Sequence, residues 1–130
     1  MTDNQSLRAQ LRSQMRQQRK DQPALFRINA ADALAKHIRS LPEITSARYV
    51  AGYWATQGEI GLHGLFAPPP AFIYCLPCVE ASNQLSFAPW RFGDPLVQNQ
   101  YGIPEPDYAA SSRLVAEAMD VVLLPLVAFD

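Results

Sequence analysis

A continuous apolar run near the end of the chain is the feature that most constrains the fold. Residues 120–125 read Asp-Val-Val-Leu-Leu-Pro, and an apolar run without polar alternation is typical of a strand buried on both faces of a parallel sheet. Other strand-like runs precede it at 48–54, 72–76 and 84–89, and helical patterns or turns separate them. The order predicts a single α/β domain over 1–130, with three layers and a mostly parallel sheet covered by helices.

Two helices are predicted before the first strand. Leu7, Leu11 and Met15 recur every four residues, which predicts a helix over 5–20 with an apolar stripe beside a basic one. A second helix is predicted from the break at Asp21-Gln22-Pro23 to Ser40, and its inner face consists of six apolar residues: Leu25, Ile28, Ala31, Leu34, Ala35 and Ile38. A short helix over 62–66, a loop over 91–110 and a helix over 111–119 complete the prediction.

The charges are distributed unevenly along the chain, although the net charge is only −1. Residues 1–48 hold nine of the eleven Lys and Arg residues against four acids, whereas residues 49–130 hold two against eight. A basic front and an acidic rear suit a cleft that binds an anion at one end. The net charge gives no indication of a nucleic-acid partner.

Targeting and membrane signals are not evident in the sequence. No apolar run reaches the roughly 18 residues that a membrane span needs, and the first 20 residues lack the apolar segment of a secretory signal. We therefore expect no membrane partner and a cytoplasmic protein. The two cysteines, Cys75 and Cys78, end a strand-like run, and His37 and His63 offer no matching zinc spacing, so we expect two buried, unreactive thiols.

Four separated stretches together resemble the 5-formyltetrahydrofolate cyclo-ligase family, and they span nearly the whole chain. They are Arg8-Ala-Gln-Leu-Arg12, Tyr53-Trp-Ala-Thr-Gln-Gly-Glu-Ile60, Asn99-Gln-Tyr-Gly-Ile-Pro-Glu-Pro106 and Asp120-Val-Val-Leu-Leu-Pro-Leu-Val-Ala-Phe-Asp130. The resemblance implies an enzyme that uses ATP and Mg²⁺ to convert 5-formyltetrahydrofolate to 5,10-methenyltetrahydrofolate.

The resemblance implies roles for five residues. Arg8 and Arg12 would contact the phosphates of ATP, since one helical turn places both on one face. By spacing alone they form a solvated basic face, and we expect Arg16, Arg19 and Lys20 to remain surface residues. The resemblance also implies that Glu59, Trp54 and Tyr101 contact the folate. The alternatives are a surface glutamate, a tryptophan in the core and a loop tyrosine packed on proline.

The sequence stops where this family would continue into a glycine-rich phosphate loop and a magnesium ligand. We therefore expect a truncated chain, a fold that is incomplete at the C-terminus, no magnesium ligand and no turnover by these residues alone. An uncovered sheet edge would favour self-association. Two alternatives are a non-catalytic binding remnant of the fold and an unrelated α/β protein that binds a sugar phosphate or nucleotide.

Overall fold

Two long helices precede a series of short strands in the structure, a computed structural model that describes residues 2–109 and 112–129. The helices are α1 (Asp3–Asp21), α2 (Ala24–Ser40), α3 (Pro42–Thr45) and α4 (His63–Phe66), and a 3-10 helix spans Ala116–Ala118. The strands are β1 (Tyr49–Ala51), β2 (Ile73–Val79), β3 (Leu85–Pro89), β4 (Leu96–Gln98), β5 (Pro104–Pro106) and β6 (Val121–Val122). The described helices include none that is both long and apolar enough to cross a membrane.

The main sheet has the strand order β3-β2-β1-β6. β1 pairs in parallel with β2 and with β6, whereas β3 returns antiparallel to β2. The predicted mostly parallel sheet flanked by helices is therefore confirmed. The carboxyl ends of β1, β2 and β6 meet at one edge, which is where open α/β sheets bind their ligands.

The larger core cluster lies between the sheet and helices α2 and α4. Val50, Leu65 and Leu76 are fully buried at its centre. α2 contributes Ala35 and Ile38 to this cluster from its buried face. The predicted inner face is wrong at its first two positions, because Leu25 is 69% exposed and Ile28 is 53% exposed. The first turns of α2 instead line a cleft described below.

Helix α1 is confirmed, but its predicted apolar stripe is not buried. Thr2 caps the helix in a reciprocal arrangement with Gln5, which satisfies two backbone N–H groups at its start. None of its residues is buried among the described part of the chain, and Leu7 and Leu11 are about half exposed. α1 contacts the domain chiefly at its C-terminal end, through Arg19 and Lys20.

The segment after residue 111 differs most from the prediction. The helix expected over 111–119 is wrong for 112–119, which form an extended segment and the 3-10 helix, while Ser111 lies outside the described residues. Leu114 instead bridges to Phe87 of β3 and covers the second face of the sheet. β6 is also shorter than expected, and it lies at the edge of the described sheet. Leu124, two residues after its end, is 74% exposed.

Asp120 fixes the start of β6 against β1. Its Oδ2 atom accepts hydrogen bonds from the backbone N–H groups of Tyr49 and Arg48, each at 2.9 Å. These two bonds hold the pKa of Asp120 below its ordinary value, because hydrogen bonds to the charged form favour it.

Residues 91–110 were expected to be an irregular loop, but they contain a hairpin. β4 and β5 pair antiparallel, with Val97 opposite Glu105. The chain turns at Asn99–Gly102, where Gly102 has a φ of 73°. The prolines at both ends of β5 hid this strand from the sequence analysis, because proline is usually read as a strand breaker.

Candidate active site at the carboxyl edge of the sheet

The loop after β1 leaves the sheet at Gly52. Its N–H donates to the carbonyl of Cys75 at 3.0 Å, so the backbone is still held against β2. A Cβ atom at this position would lie 2.0 Å from the hydroxyl oxygen of Tyr74, which is buried. Only glycine fits between the loop and this side chain, and the loop beyond it is thereby set close to the sheet edge.

A tight turn at residues 56–59 holds the carboxylate of Glu59. Gln57 and Gly58 both have positive φ values, 53° and 80°, as in a type I′ turn. The N–H and the hydroxyl of Thr56 donate to Oε1 of Glu59 at 2.9 and 3.2 Å. No hydrogen bond within the described residues engages Oε2. One carboxylate oxygen is therefore fixed by the turn while the other can accept a bond from a ligand.

Tyr53 also stabilises the loop that follows β1. Its hydroxyl donates to the carbonyl of Ile60 at 2.8 Å. Burial, followed by the nearby Glu59 carboxylate, raises the pKa of Tyr53 above its ordinary value, so the hydroxyl stays protonated and remains a donor.

Arg19 joins two of the loops at this edge, and its predicted role as a surface residue is wrong. Its guanidinium donates to the carbonyl of Gln57 and to the carbonyl of Leu126, both at 2.9 Å. Helix α1 approaches the turn at residues 56–59 so closely that a Cβ at Gly58 would lie 3.3 Å from Cβ of Arg19. Arg19 thus connects α1 with the loops that follow β1 and β6. Arg19 lies outside the evenly spaced basic stripe of α1, and its position in the sequence gave no signal of these contacts.

A cleft of about 430 Å³ opens beside Glu59, between the first turns of α2 and the loop at 58–61. Its charged and titratable lining residues are Arg19, Arg27, Glu59 and His63, and its apolar residues include Phe26, Ile28, Ile60 and Leu126. Ligand pockets in proteins have similar volumes and a similar mixture of apolar walls and a few polar groups.

Trp54 lies on the Glu59 loop but packs into the core. Its indole is half-buried and meets the ring of Trp90 edge to face, with centroids 5.9 Å apart. Trp54 does not line the cleft beside Glu59. The structure therefore supports core packing for this residue, and it leaves part of the ring exposed.

Tyr101 occupies the tip of the β4–β5 hairpin. It is 61% exposed, and its hydroxyl donates to Oδ1 of Asn83 in the turn after β2, at 3.1 Å. This contact holds Tyr101 beside the turn that joins β2 and β3, and the residue does not line the cleft beside Glu59.

The hairpin is attached to the sheet by Glu105, a residue whose role the sequence did not indicate. Glu105 is the one charged residue that is buried within the described part of the chain, with 5% of its surface exposed. Its Oε2 accepts hydrogen bonds from the backbone N–H of Val79 at 2.7 Å and from the side-chain amide of Asn99 at 3.0 Å. In the sequence, the only feature that could have indicated this role is the position of Glu105 between two prolines.

Arg8 and Arg12 lie in the first half of α1, a helix without a buried residue in the described part of the chain. Both are exposed, and within residues 2–109 and 112–129 neither guanidinium forms an ion pair or a side-chain hydrogen bond. They line neither the cleft beside Glu59 nor a larger one, of about 800 Å³, among Phe66, Trp90 and Phe92.

The two cysteines of β2 are buried and not bonded to each other. Burial raises the pKa of each thiol to about 11, so both remain protonated near neutral pH and unreactive as nucleophiles. The described residues contain no group of three or more His, Cys, Asp or Glu side chains that could hold a metal ion.

Comparison with known proteins agrees with the fold and with the motifs. A family model described as the 5-formyltetrahydrofolate cyclo-ligase family matches residues 2–130. The chain is 30% identical over 132 residues to a 5-formyltetrahydrofolate cyclo-ligase from Haemophilus influenzae, covering 98% of this chain and 70% of the relative. It is also similar to the NMR structure of Aquifex aeolicus 5,10-methenyltetrahydrofolate synthetase, with 28% identity and a TM-score of 0.81 over 95% of this chain; the chain spans 63% of that protein. The chain belongs to the 5-formyltetrahydrofolate cyclo-ligase family.

Proposed function

We propose that these residues supply the folate-binding edge and the ATP-facing helix of a ligase that converts 5-formyltetrahydrofolate to 5,10-methenyltetrahydrofolate. Family membership supports the reaction class, and it argues against an unrelated sugar-phosphate protein. The observation that carries the proposal for this chain is the carboxylate of Glu59, held by Thr56 at the carboxyl edge with one oxygen unengaged by the described residues.

The reaction explains why a folate site and a phosphate site must lie near each other. The formyl oxygen is a poor leaving group, so ATP transfers its γ-phosphoryl group to that oxygen and ADP is released. N10 then attacks the formyl carbon, its proton passes to solvent, and phosphate leaves as the ring closes. Such transfers depend on positioning and charge neutralisation. The described residues offer no ligand set for Mg²⁺, and we assign none of them to the metal.

Glu59 is proposed to hold the pterin ring. The ring carries an amino group and ring N–H groups, which are donors, and the free carboxylate oxygen of Glu59 is a charged acceptor. Hydrogen bonds to a charged group contribute more than neutral ones, about 1.5–3 kcal/mol. Because Thr56 already fixes the other oxygen, little side-chain entropy remains to be lost when the ligand binds.

Trp54 and Tyr101 are proposed to contact the folate from the two sides of the site. We expect saturable quenching of tryptophan fluorescence when 5-formyltetrahydrofolate is titrated into the chain, because a pterin beside the exposed part of Trp54 would alter its emission. Fluorescence at fixed protein concentration, corrected for absorption by the ligand, measures this.

Trp54→Phe provides the matched control for the fluorescence titration. Trp90 remains as an emitter in that variant, and its buried indole, which donates to the carbonyl of Asp94, is best left in place. The quenching should be lost in Trp54→Phe. Quenching of equal size in this variant would remove Trp54 from the folate site, and Tyr101→Phe in the same titration tests the hairpin side.

Arg8 and Arg12 are proposed to bind the phosphates of ATP. Two exposed guanidiniums one turn apart can reach one polyphosphate, and no described carboxylate competes for them. Arg12→Gln should weaken ATP binding by about tenfold, as expected for the loss of one charge-assisted contact. Calorimetric titration of ATP into the chain, with Lys36→Gln as a control for an exposed cation on another helix, checks this. Equal affinities in all three proteins would exclude Arg12 from the phosphate site.

Three further expectations stay predictions. Self-association through the exposed edge of β6 is tested by light scattering, and absence of turnover by residues 1–130 alone is tested by the absorbance of the methenyl product. That assay also distinguishes an active ligase from a non-catalytic binding remnant. The cytoplasmic location is tested by fractionation.

A further inference from the structure

Arg19 is far from Glu59 in sequence, but it is bonded to the turn that carries this carboxylate. One terminal nitrogen of its guanidinium donates to the carbonyl of Gln57 and the other donates to the carbonyl of Leu126, both at 2.9 Å. The two acceptors belong to the loops that follow β1 and β6. Because a guanidinium holds its donors in a fixed, planar fork, one rigid group sets the separation of these two loops.

The carbonyl of Gln57 is the group that the turn at residues 56–59 leaves open. The N–H of Glu59 donates to the carbonyl of Thr56 at 3.0 Å, which closes the turn without using the central peptide between Gln57 and Gly58. Among the described residues, no backbone N–H donates to the carbonyl of Gln57. Arg19 therefore supplies the hydrogen bond that this carbonyl makes within the described part of the chain.

The backbone conformation beside this bond is unusual for a residue with a side chain. Gln57 has a φ of 53°, in the left-handed region that residues other than glycine rarely adopt. Such conformations persist where the surrounding contacts fix them. Arg19 provides one such contact at the carbonyl, and α1 provides another by packing close to Gly58. The shape of the turn therefore depends on α1.

Glu59 takes its orientation from the same turn. The N–H and the hydroxyl of Thr56 donate to Oε1 of Glu59 at 2.9 and 3.2 Å, and both bonds require that residues 56–59 keep the turn geometry. The guanidinium of Arg19 also lies near this group electrostatically. Burial, followed by the Glu59 carboxylate, raises the pKa of Tyr53, and the charge of Arg19 opposes that rise. No ion pair joins Arg19 directly to Glu59 in the described residues, so the connection runs through the turn.

We propose that Arg19 is a positioning residue for the folate site, because its bond to Gln57 holds the turn that orients the Glu59 carboxylate. This inference rests on the proposed function, since it takes Glu59 as the pterin contact. Arg19 acts through Glu59 and not on the ligand, since each terminal nitrogen of its guanidinium already donates to a loop carbonyl. A direct contact with the ligand and a general support of the fold are the two alternatives.

A double-mutant cycle separates positioning through Glu59 from both alternatives. Equilibrium dialysis gives the dissociation constant of 5-formyltetrahydrofolate for wild type, Arg19→Met, Glu59→Gln and the double variant. Methionine keeps an unbranched apolar side chain against the turn but donates no hydrogen bond. Arg19→Met should weaken binding about tenfold when Glu59 is present, a coupling typical of residues in one hydrogen-bond network, and by less than about twofold when Glu59 is already replaced.

Two further variants control for the charge and for the packing of α1. Lys20 is the neighbouring cation, and its side chain also packs close to Gly58, but it forms no ion pair or side-chain hydrogen bond with the described residues. Lys20→Gln should therefore bind the folate as wild type does. Arg19→Lys keeps the charge and can reach one carbonyl but not both, so it should lose less affinity than Arg19→Met. Thermal melting checks that every variant is folded.

The amide of Thr56 provides a readout that needs no ligand. Because its N–H donates to Oε1 of Glu59, its proton NMR shift should follow the titration of that carboxylate in wild type and in Lys20→Gln. The pH-dependent shift should be absent from Glu59→Gln, which identifies its origin. It should be smaller in Arg19→Met, because the turn no longer holds the carboxylate against this amide.

Each other outcome overturns a different part of the account. Folate affinity and an amide titration equal to those of wild type in Arg19→Met contradict the positioning role and leave the proposed function intact. An equal loss of affinity with and without Glu59 shows that Arg19 acts independently of this carboxylate, and an equal loss in Lys20→Gln assigns the effect to charge; both contradict the positioning role. If wild type binds no folate, or Glu59→Gln binds it equally well, the proposed function fails and the inference fails with it.

Discussion

Replacing Glu105 by alanine is expected to lower the free energy of unfolding by about 3 kcal/mol, since buried donors without a partner cost about 1–3 kcal/mol each. The carboxylate is almost fully buried and accepts from the backbone of Val79 and from Asn99. The alanine variant leaves both donors without this acceptor. For a domain of this size the loss should lower the melting temperature by about 10 °C.

Asp107→Ala is the matched control for this change. Asp107 is exposed two residues further along the chain, so its replacement should alter stability by less than about 0.5 kcal/mol. Chemical denaturation followed by circular dichroism measures both variants. A Glu105→Ala protein as stable as Asp107→Ala would show that the hairpin is not held to the sheet by this carboxylate. Glu105→Gln, which retains one acceptor oxygen, should fall between the two.

Periodicity predicted the two long helices well and the packing of α1 poorly. The bounds of α1 and α2 lie within about two residues of the prediction, because the 3.6-residue period is a local property. Whether Leu7 and Leu11 meet a partner depends on what lies beside the helix, and the described residues leave both half exposed. The same holds for Leu25 and Ile28 at the start of α2.

Strand positions were predictable, but strand directions and edges were not. The run at 84–89 was expected as a strand, and β3 forms there. Its antiparallel pairing with β2 follows from the short turn at Asn83, which has a φ of 62°. The apolar run at 120–125 was read as an interior strand, yet the strand that forms spans only Val121–Val122, and among the described strands it pairs with β1 alone. Apolar content reports the tendency to be buried, and it does not report which neighbours are present.

The candidate site was predictable only in part. Glu59 was identified through the family resemblance, whereas its location after a strand and a glycine predicted a surface residue, and the structure adds the Thr56 hydrogen bonds that fix it. Arg19 and Glu105 were missed because each bonds to a backbone group far away in sequence. Such contacts have no local pattern, since any residue can supply a carbonyl or an N–H.

Glu59→Gln is expected to weaken the binding of 5-formyltetrahydrofolate by about 30-fold, which corresponds to the loss of about 2 kcal/mol from a charged hydrogen bond. Glutamine retains an oxygen that can accept from Thr56, so the turn at 56–59 should persist. The side-chain amide then presents its NH₂ group to the donors of the pterin, in place of the free carboxylate oxygen. The variant therefore removes the charge and the second acceptor with little change in shape.

The dissociation constant of 5-formyltetrahydrofolate, measured by equilibrium dialysis on wild type, Glu59→Gln and Glu117→Gln, tests most directly whether this edge is a folate site. Glu117 is an exposed glutamate away from the cleft, so its variant controls for the lost charge, and thermal melting confirms that all three proteins are equally folded. The account predicts saturable binding to wild type and Glu117→Gln, and about 30-fold weaker binding to Glu59→Gln. Equal affinity in all three proteins, or no saturable binding to wild type, would contradict it.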